Sequence, residues 1–132
     1  MGQQLPLVVL PMHPRTRIRL ESLNLKLPFF IVDPLGYLDM LMLLNHCRMV
    51  ITDSGGLQKE AFFLKKFCIT LREETEWVEL VDLGVNRIAG SDEIKILAAF
   101  YSFMNKKFSS KNKPYGNGDA AVKIVKSLRQ YS

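Results

Sequence analysis

Ser54, Gly55, Gly56 and, about one and a half turns further on, Glu60 are the residues whose types and spacing suggest chemistry. They sit in the stretch Ile51-Thr52-Asp53-Ser54-Gly55-Gly56-Leu57-Gln58-Lys59-Glu60-Ala61. Before it lies the apolar run 48–52, which reads as a short buried strand. After it, Leu57, Ala61, Phe62 and Leu64 recur at helical spacing. A strand that turns through Asp-Ser-Gly-Gly into a helix leaves several backbone N–H groups without intrahelical partners, all pointing one way. The helix dipole adds partial positive charge there, and two glycines let an anion approach with no Cβ in the way. A phosphate fits such a turn, and a carboxylate at Glu60 can accept hydrogen bonds from sugar hydroxyls beside it. An ordinary strand-to-helix turn with Ser54 or Asp53 as N-cap accounts for the same pattern.

The elements that must position these residues follow from periodicity and breakers. Residues 6–12 read as a strand around Leu7-Val8-Val9-Leu10, and a short helix over 16–23 has Ile18, Leu20 and Leu23 as its inner face. Residues 28–33 form a second strand closed by Pro34-Leu35-Gly36. An apolar helix over 37–47, with Leu38, Leu41, Met42 and Leu44 at helical spacing, leads to the strand before the Ser-Gly-Gly turn. A fourth strand covers 67–71, and a short helix over 77–83 stops at Gly84. A fifth strand covers 86–89. Ser91 caps a helix over 94–106, and a polar loop over 109–118 precedes a last helix over 119–131. Such alternation predicts an α/β fold: one domain over 1–132, a parallel sheet flanked by helices, with right-handed crossovers and no interdomain linker. Ligands of open parallel sheets sit at the carboxyl ends of the strands. The loops there are 13–16, 34–37, 53–56 and 72–76, the segments richest in polar and turn residues.

A chain of 132 residues, 48% hydrophobic, supports one domain with its own core. It has no stretch apolar enough to span a membrane, so no membrane insertion is expected, and its amino terminus has neither signal-peptide nor myristoylation features. A cytoplasmic location is the default expectation. Cys47 and Cys68 lie in apolar segments and read as buried free thiols. No metal or redox cofactor is implied. The net charge of +5 invites a nucleic-acid reading. However, Lys106, Lys107, Lys111 and Lys113 cluster at one helix end and its loop, with no aromatic platform interleaved, so they read as a solvated face and no nucleic-acid partner is expected.

Five motifs then resemble one family. Pro11-Met12-His13-Pro14-Arg15-Thr16, Tyr37-Leu38-Asp39-Met40, Thr52 to Ala61, Leu71-Arg72-Glu73-Glu74-Thr75-Glu76 and Pro114-Tyr115-Gly116-Asn117-Gly118 stand in the order and spacing of the carboxy-terminal half of non-hydrolysing UDP-N-acetylglucosamine 2-epimerases. The variant Thr75-Glu76-Trp77-Val78-Glu79, where many relatives carry Arg-Pro after the Glu, is similar to the branch acting on modified UDP-sugars such as diacetamido-uronic acids. The resemblance implies a GT-B-type architecture of two Rossmann-like domains, of which this chain is most of the carboxy-terminal one. It implies UDP or a UDP-sugar as ligand. Ser54 and the N–H groups of Gly55 and Gly56 would hold the diphosphate, Glu60 the ribose hydroxyls, and Arg72 would lie near the phosphates or sugar. His13 matches a histidine that in some relatives helps bind a second, activating UDP-sugar. Met40 falls where the family has an aromatic residue near the uracil.

The family's reaction eliminates UDP to a glycal and adds it back after the sugar turns over. Its catalytic carboxylates and a further histidine lie in the amino-terminal domain and on a first strand, neither of which is expected here. The fragment alone is therefore expected to be inactive and to contain no catalytic residue. Absence of that central strand would leave two neighbours with open edges, so a homo-oligomer is expected. A GT-B glycosyltransferase donor domain and a stand-alone UDP-sugar-binding or interaction module are the alternative readings. His46, Asp53, Tyr37, Phe62, Phe63, Trp77, Met42 and Met49 read most simply as structural.

Overall fold

The computed structural model describes residues 6–131. They fall into two compact units that divide between Leu43 and Leu44.

The first unit pairs β1 (Val9–Pro11) with β2 (Phe30–Val32) in parallel, Val9 opposite Phe30 and Pro11 opposite Val32. The strand expected around Leu7 starts later, because pairing begins where the Phe30 N–H meets the Val8 carbonyl at 2.9 Å. Leu7 is left exposed. Helix α1 (Pro14–Ser22) begins two residues earlier than its apolar period suggests. Pro14 has no N–H to lose at the first position, and the His13 Nδ1 accepts the Arg15 N–H at 3.2 Å as cap. Its expected inner face is not buried: Ile18 and Leu23 are exposed and Leu20 is half-buried. Two three-residue strands offer too little apolar surface to cover it. Helix α2 (Tyr37–His46) runs across the division between the units, and only Leu44 on it is buried.

The second unit holds the core. Strands β3 (Met49–Thr52), β4 (Phe67–Thr70) and β5 (Asn86–Ile88) form a parallel sheet in that order. All four residues of β4 are buried, as expected of a strand flanked on both sides and covered on both faces. Helix α3 (Gly55–Phe63) buries Gln58 and Ala61; α4 (Val78–Asp82) buries Leu80; α5 (Glu93–Met104) buries Ala99 and Phe103. Phe103 stacks on Phe67 with ring centroids 4.4 Å apart, and Ile69, Leu80, Val85 and Ala89 complete the cluster. Asp92, not Ser91, caps α5, its carboxylate accepting the Lys95 N–H at 3.0 Å. Helix α6 (Ala120–Gln130) buries none of its residues. Both cysteines are free thiols; burial pushes Cys68 up to about 12 and raises Cys47 as well. Among the described residues no helix is long and apolar enough to cross a membrane, and no cluster of His, Cys, Asp and Glu could hold a metal.

Strand–helix alternation alone suggests one parallel sheet; the structure has two, β1–β2 and β3–β4–β5, with edge strands at β1 and β3 as the family resemblance led us to expect. Among the described residues, β1 is paired on one side only, by β2, and β3 on one side only, by β4.

Candidate functional site

A helix opens with four N–H groups that have no intrahelical partner. At the start of α3 they belong to Ser54, Gly55, Gly56 and Leu57. Ser54 sits in extended conformation as N-cap, and its hydroxyl accepts the Leu57 N–H at 3.4 Å. Its own N–H donates to the Thr52 Oγ1 at 3.0 Å. The two donors left without an acceptor among the described residues are those of Gly55 and Gly56. They lie at the carboxyl end of β3, where the dipole of α3 adds its partial positive charge. The arrangement is suited to an anion.

The segment after β4 runs alongside this turn because the sheet ladder continues past the strands. The Leu71 N–H reaches the Thr52 carbonyl at 2.9 Å, and the Gly90 N–H reaches the Arg72 carbonyl at 3.2 Å. Arg72 Nη1 contacts both carboxylate oxygens of Glu76, at 2.9 and 3.2 Å. Of the three glutamates that the sequence offers Arg72, Glu76 is the one it pairs with. A Cβ on Gly55 would stand 3.1 Å from the Glu76 Oε2, close enough that the carboxylate would have to shift by a few tenths of an ångström. The backbone N–H of Glu76 first, and then Arg72, hold the Glu76 carboxyl below its ordinary value. Next to it, the Trp77 indole N–H donates to the Gly55 carbonyl at 2.7 Å.

Beneath the turn lies a chain of buried polar groups. The Gln58 Oε1 accepts the Thr75 hydroxyl at 2.6 Å and the Asn86 amide at 3.0 Å, and the Asn86 Oδ1 accepts the Thr70 hydroxyl at 2.8 Å. Gln58 is fully buried, and its Nε2 has no partner among the described residues. To one side, the Lys59 ammonium stands 4.5 Å from the ring centroids of both Trp77 and Tyr115. The Tyr115 hydroxyl faces the Glu79 carboxylate without the geometry of a hydrogen bond; burial, and then that carboxylate, raise its pKa.

The structure therefore brings Ser54, Gly55, Gly56 and Arg72 to one turn. Glu60 is on the same helix, half-buried, and enters none of the described ion pairs. His13 and Met40 belong to the first unit, His13 exposed as the cap of α1 and Met40 half-buried on α2. Ser54, rather than Asp53, is the cap of α3. Trp77 reads from the sequence only as a structural residue, which its packing against the core agrees with, and Gln58 only as part of a motif; their contacts beneath and beside the turn escaped the sequence reading. Their partners lie 22, 17 and 28 residues away, and no local pattern marks such contacts.

Compared with known proteins, residues 2–129 match the family model for UDP-N-acetylglucosamine 2-epimerase. The chain is 46% identical over 121 residues to the UDP-2,3-diacetamido-2,3-dideoxy-D-glucuronate 2-epimerase of Pseudomonas aeruginosa, covering 92% of this chain and 34% of that protein. It is 42% identical over 127 residues to the UDP-N-acetylglucosamine 2-epimerase of Methanocaldococcus jannaschii, covering 92% and 34%. A crystal structure of the Methanocaldococcus jannaschii UDP-GlcNAc 2-epimerase in complex with UDP-GlcNAc and UDP superposes with a TM-score of 0.82 at 40% identity, over 96% of this chain and 36% of that one. The chain spans about a third of the length of the curated relatives that it matches.

Proposed function

Since the chain belongs to the UDP-N-acetylglucosamine 2-epimerase family, we propose that it carries the nucleotide-holding part of a UDP-sugar 2-epimerase. The observation that carries this reading is the pair of unpartnered N–H groups at Gly55 and Gly56, set at a strand's carboxyl end with Arg72 across the turn. The diphosphate accepts these two N–H groups, and Ser54 supports them as cap. Its arrival gives Arg72 a second anionic partner beside Glu76. Glu60 takes the ribose, since a carboxylate with two oxygens matches a cis-diol. In the first unit, His13 and Met40 each contribute to nucleotide binding, His13 toward a second, activating UDP-sugar.

The complete epimerase eliminates UDP and adds it back. A site that holds UDP firmly stabilises the leaving group while it is free, and so favours elimination. This chain alone binds UDP without turning a sugar over. The high identity to a diacetamido-glucuronate epimerase favours a modified UDP-sugar as substrate of the whole enzyme.

Titration calorimetry of the chain with UDP tests the assignment. Saturable binding is expected, with Glu60→Ala weakening it at least tenfold. A folded chain that binds no UDP, or one whose affinity survives both Glu60→Ala and Ser54→Ala, would sink it.

A further inference from the structure

Trp77 belongs to no phosphate-binding pattern, yet it holds the carbonyl on which the glycine turn hinges. Resting on the reading of the α3 start as the diphosphate seat, we propose that Trp77 is a positioning residue for nucleotide binding. Its indole N–H fixes and polarises the peptide group between Gly55 and Gly56, whose other end is the Gly56 N–H.

The peptide group is a rigid plane, so whatever holds its oxygen also aims its N–H. The torsions on either side of this plane belong to two glycines, which restrain them less than any other residue would. Held only by the first-turn bond of α3, a Gly-Gly peptide frays toward other orientations, and an anion binding there would bear the cost of ordering it. The Trp77 Nε1 lies 2.7 Å from the Gly55 oxygen, at the short end of the range for such bonds. A carbonyl that accepts a strong hydrogen bond makes the N–H of the same amide a better donor.

The clamp is itself held to the helix that it serves. Lys59 on α3 places its ammonium over the Trp77 ring. Tyr115 meets the same ring edge-on, with centroids 5.9 Å apart and planes at 89°. Tyr115 in turn packs against Phe62 and Phe63 of α3, each at 5.7 Å. The indole thus cannot drift relative to the turn without breaking contacts on two sides. Glu76, one residue earlier, sets its carboxylate beside the same glycine.

The test compares two ligands on the 132-residue chain by NMR titration: UDP, which has the diphosphate, and uridine, which lacks it. Trp77→Phe keeps an aromatic ring and removes the donor. Its UDP Kd is expected to rise about fivefold to tenfold, the worth of one hydrogen bond, while uridine affinity stays unchanged. The downfield shift of the Gly56 amide proton on adding UDP is expected to shrink in the variant. If the phenylalanine variant does not fold, 3-benzothienylalanine at position 77 replaces the N–H with sulfur at nearly the same volume and makes the same comparison. Equal UDP affinity with and without the donor, or equal weakening for both ligands, would overturn the role of Trp77 alone. A wild-type chain that binds uridine but gains nothing from the diphosphate would overturn the seat itself, and Trp77 with it.

Discussion

At the scale of single residues, the glycine turn is held from below by side chains that water cannot reach. Asn86 is 1% exposed and joins Thr70 to Gln58. Asn86→Ala leaves the Thr70 hydroxyl with no acceptor and takes one of two donors from Gln58. The unfolding free energy is expected to fall by about 2–3 kcal/mol, because buried polar groups without partners cost more than the bonds they once made. A urea midpoint that moves at unchanged slope would register this loss; an unmoved midpoint would mean that solvent reaches the cluster. None of this network was legible in the sequence. Thr70, Thr75 and Asn86 look like ordinary strand-end and loop residues, and only the closure of the sheet makes them neighbours. Ser54, Gly55 and Gly56 were legible for the opposite reason: their chemistry is local, written in consecutive residues.

At the scale of elements, three helices end in the same way with three different residues. After α1, Asn24 at φ 51 and Leu25 donate to the carbonyls of Glu21 and Leu20. After α3, Lys65 at φ 58 and Lys66 donate to Phe62 and Ala61. After α4, Gly84 at φ 70 and Val85 donate to Val81 and Leu80. Each is the paired-bond stop that a left-handed residue permits. Only the glycine announced itself in the sequence; a lysine in that conformation is chosen by the bonds around it and strains against its own Cβ. Lys65→Gly should therefore raise stability by roughly 0.5–1 kcal/mol, the relief of strain less the added freedom of the unfolded chain. Thermal unfolding measures it, and a destabilised variant would mean that the Lys65 side chain has a role of its own. Helix starts were equally subtle. Pro14 and Asp92 carry the starts of α1 and α5, each displaced by a residue or two from where apolar period alone puts it.

At the scale of the molecule, strand–helix alternation made the parallel α/β fold readable, and the order of the motifs made the family readable. The division of the sheet was foreshadowed only by the family resemblance, since nothing in the residues of β1 or β3 says which side stays unpaired. Among the described residues each of those strands has one edge without a partner strand, and Ile51 on β3 is 44% exposed. Open edges of parallel strands recruit further strands. Sedimentation velocity is expected to show the mass rising above 15.1 kDa with concentration, and Ile51→Lys to suppress that rise. A constant monomer mass at every concentration would contradict this. Strand β4, shielded at the centre of its sheet, has another consequence. Its Cys68 thiol is 2% exposed and kept protonated by burial, so a sulfhydryl reagent in the solvent meets it only while the sheet is open. Half-buried Cys47 reacts sooner. The lag between the two labels times the breathing of the fold, a stopwatch that needs no engineered probe.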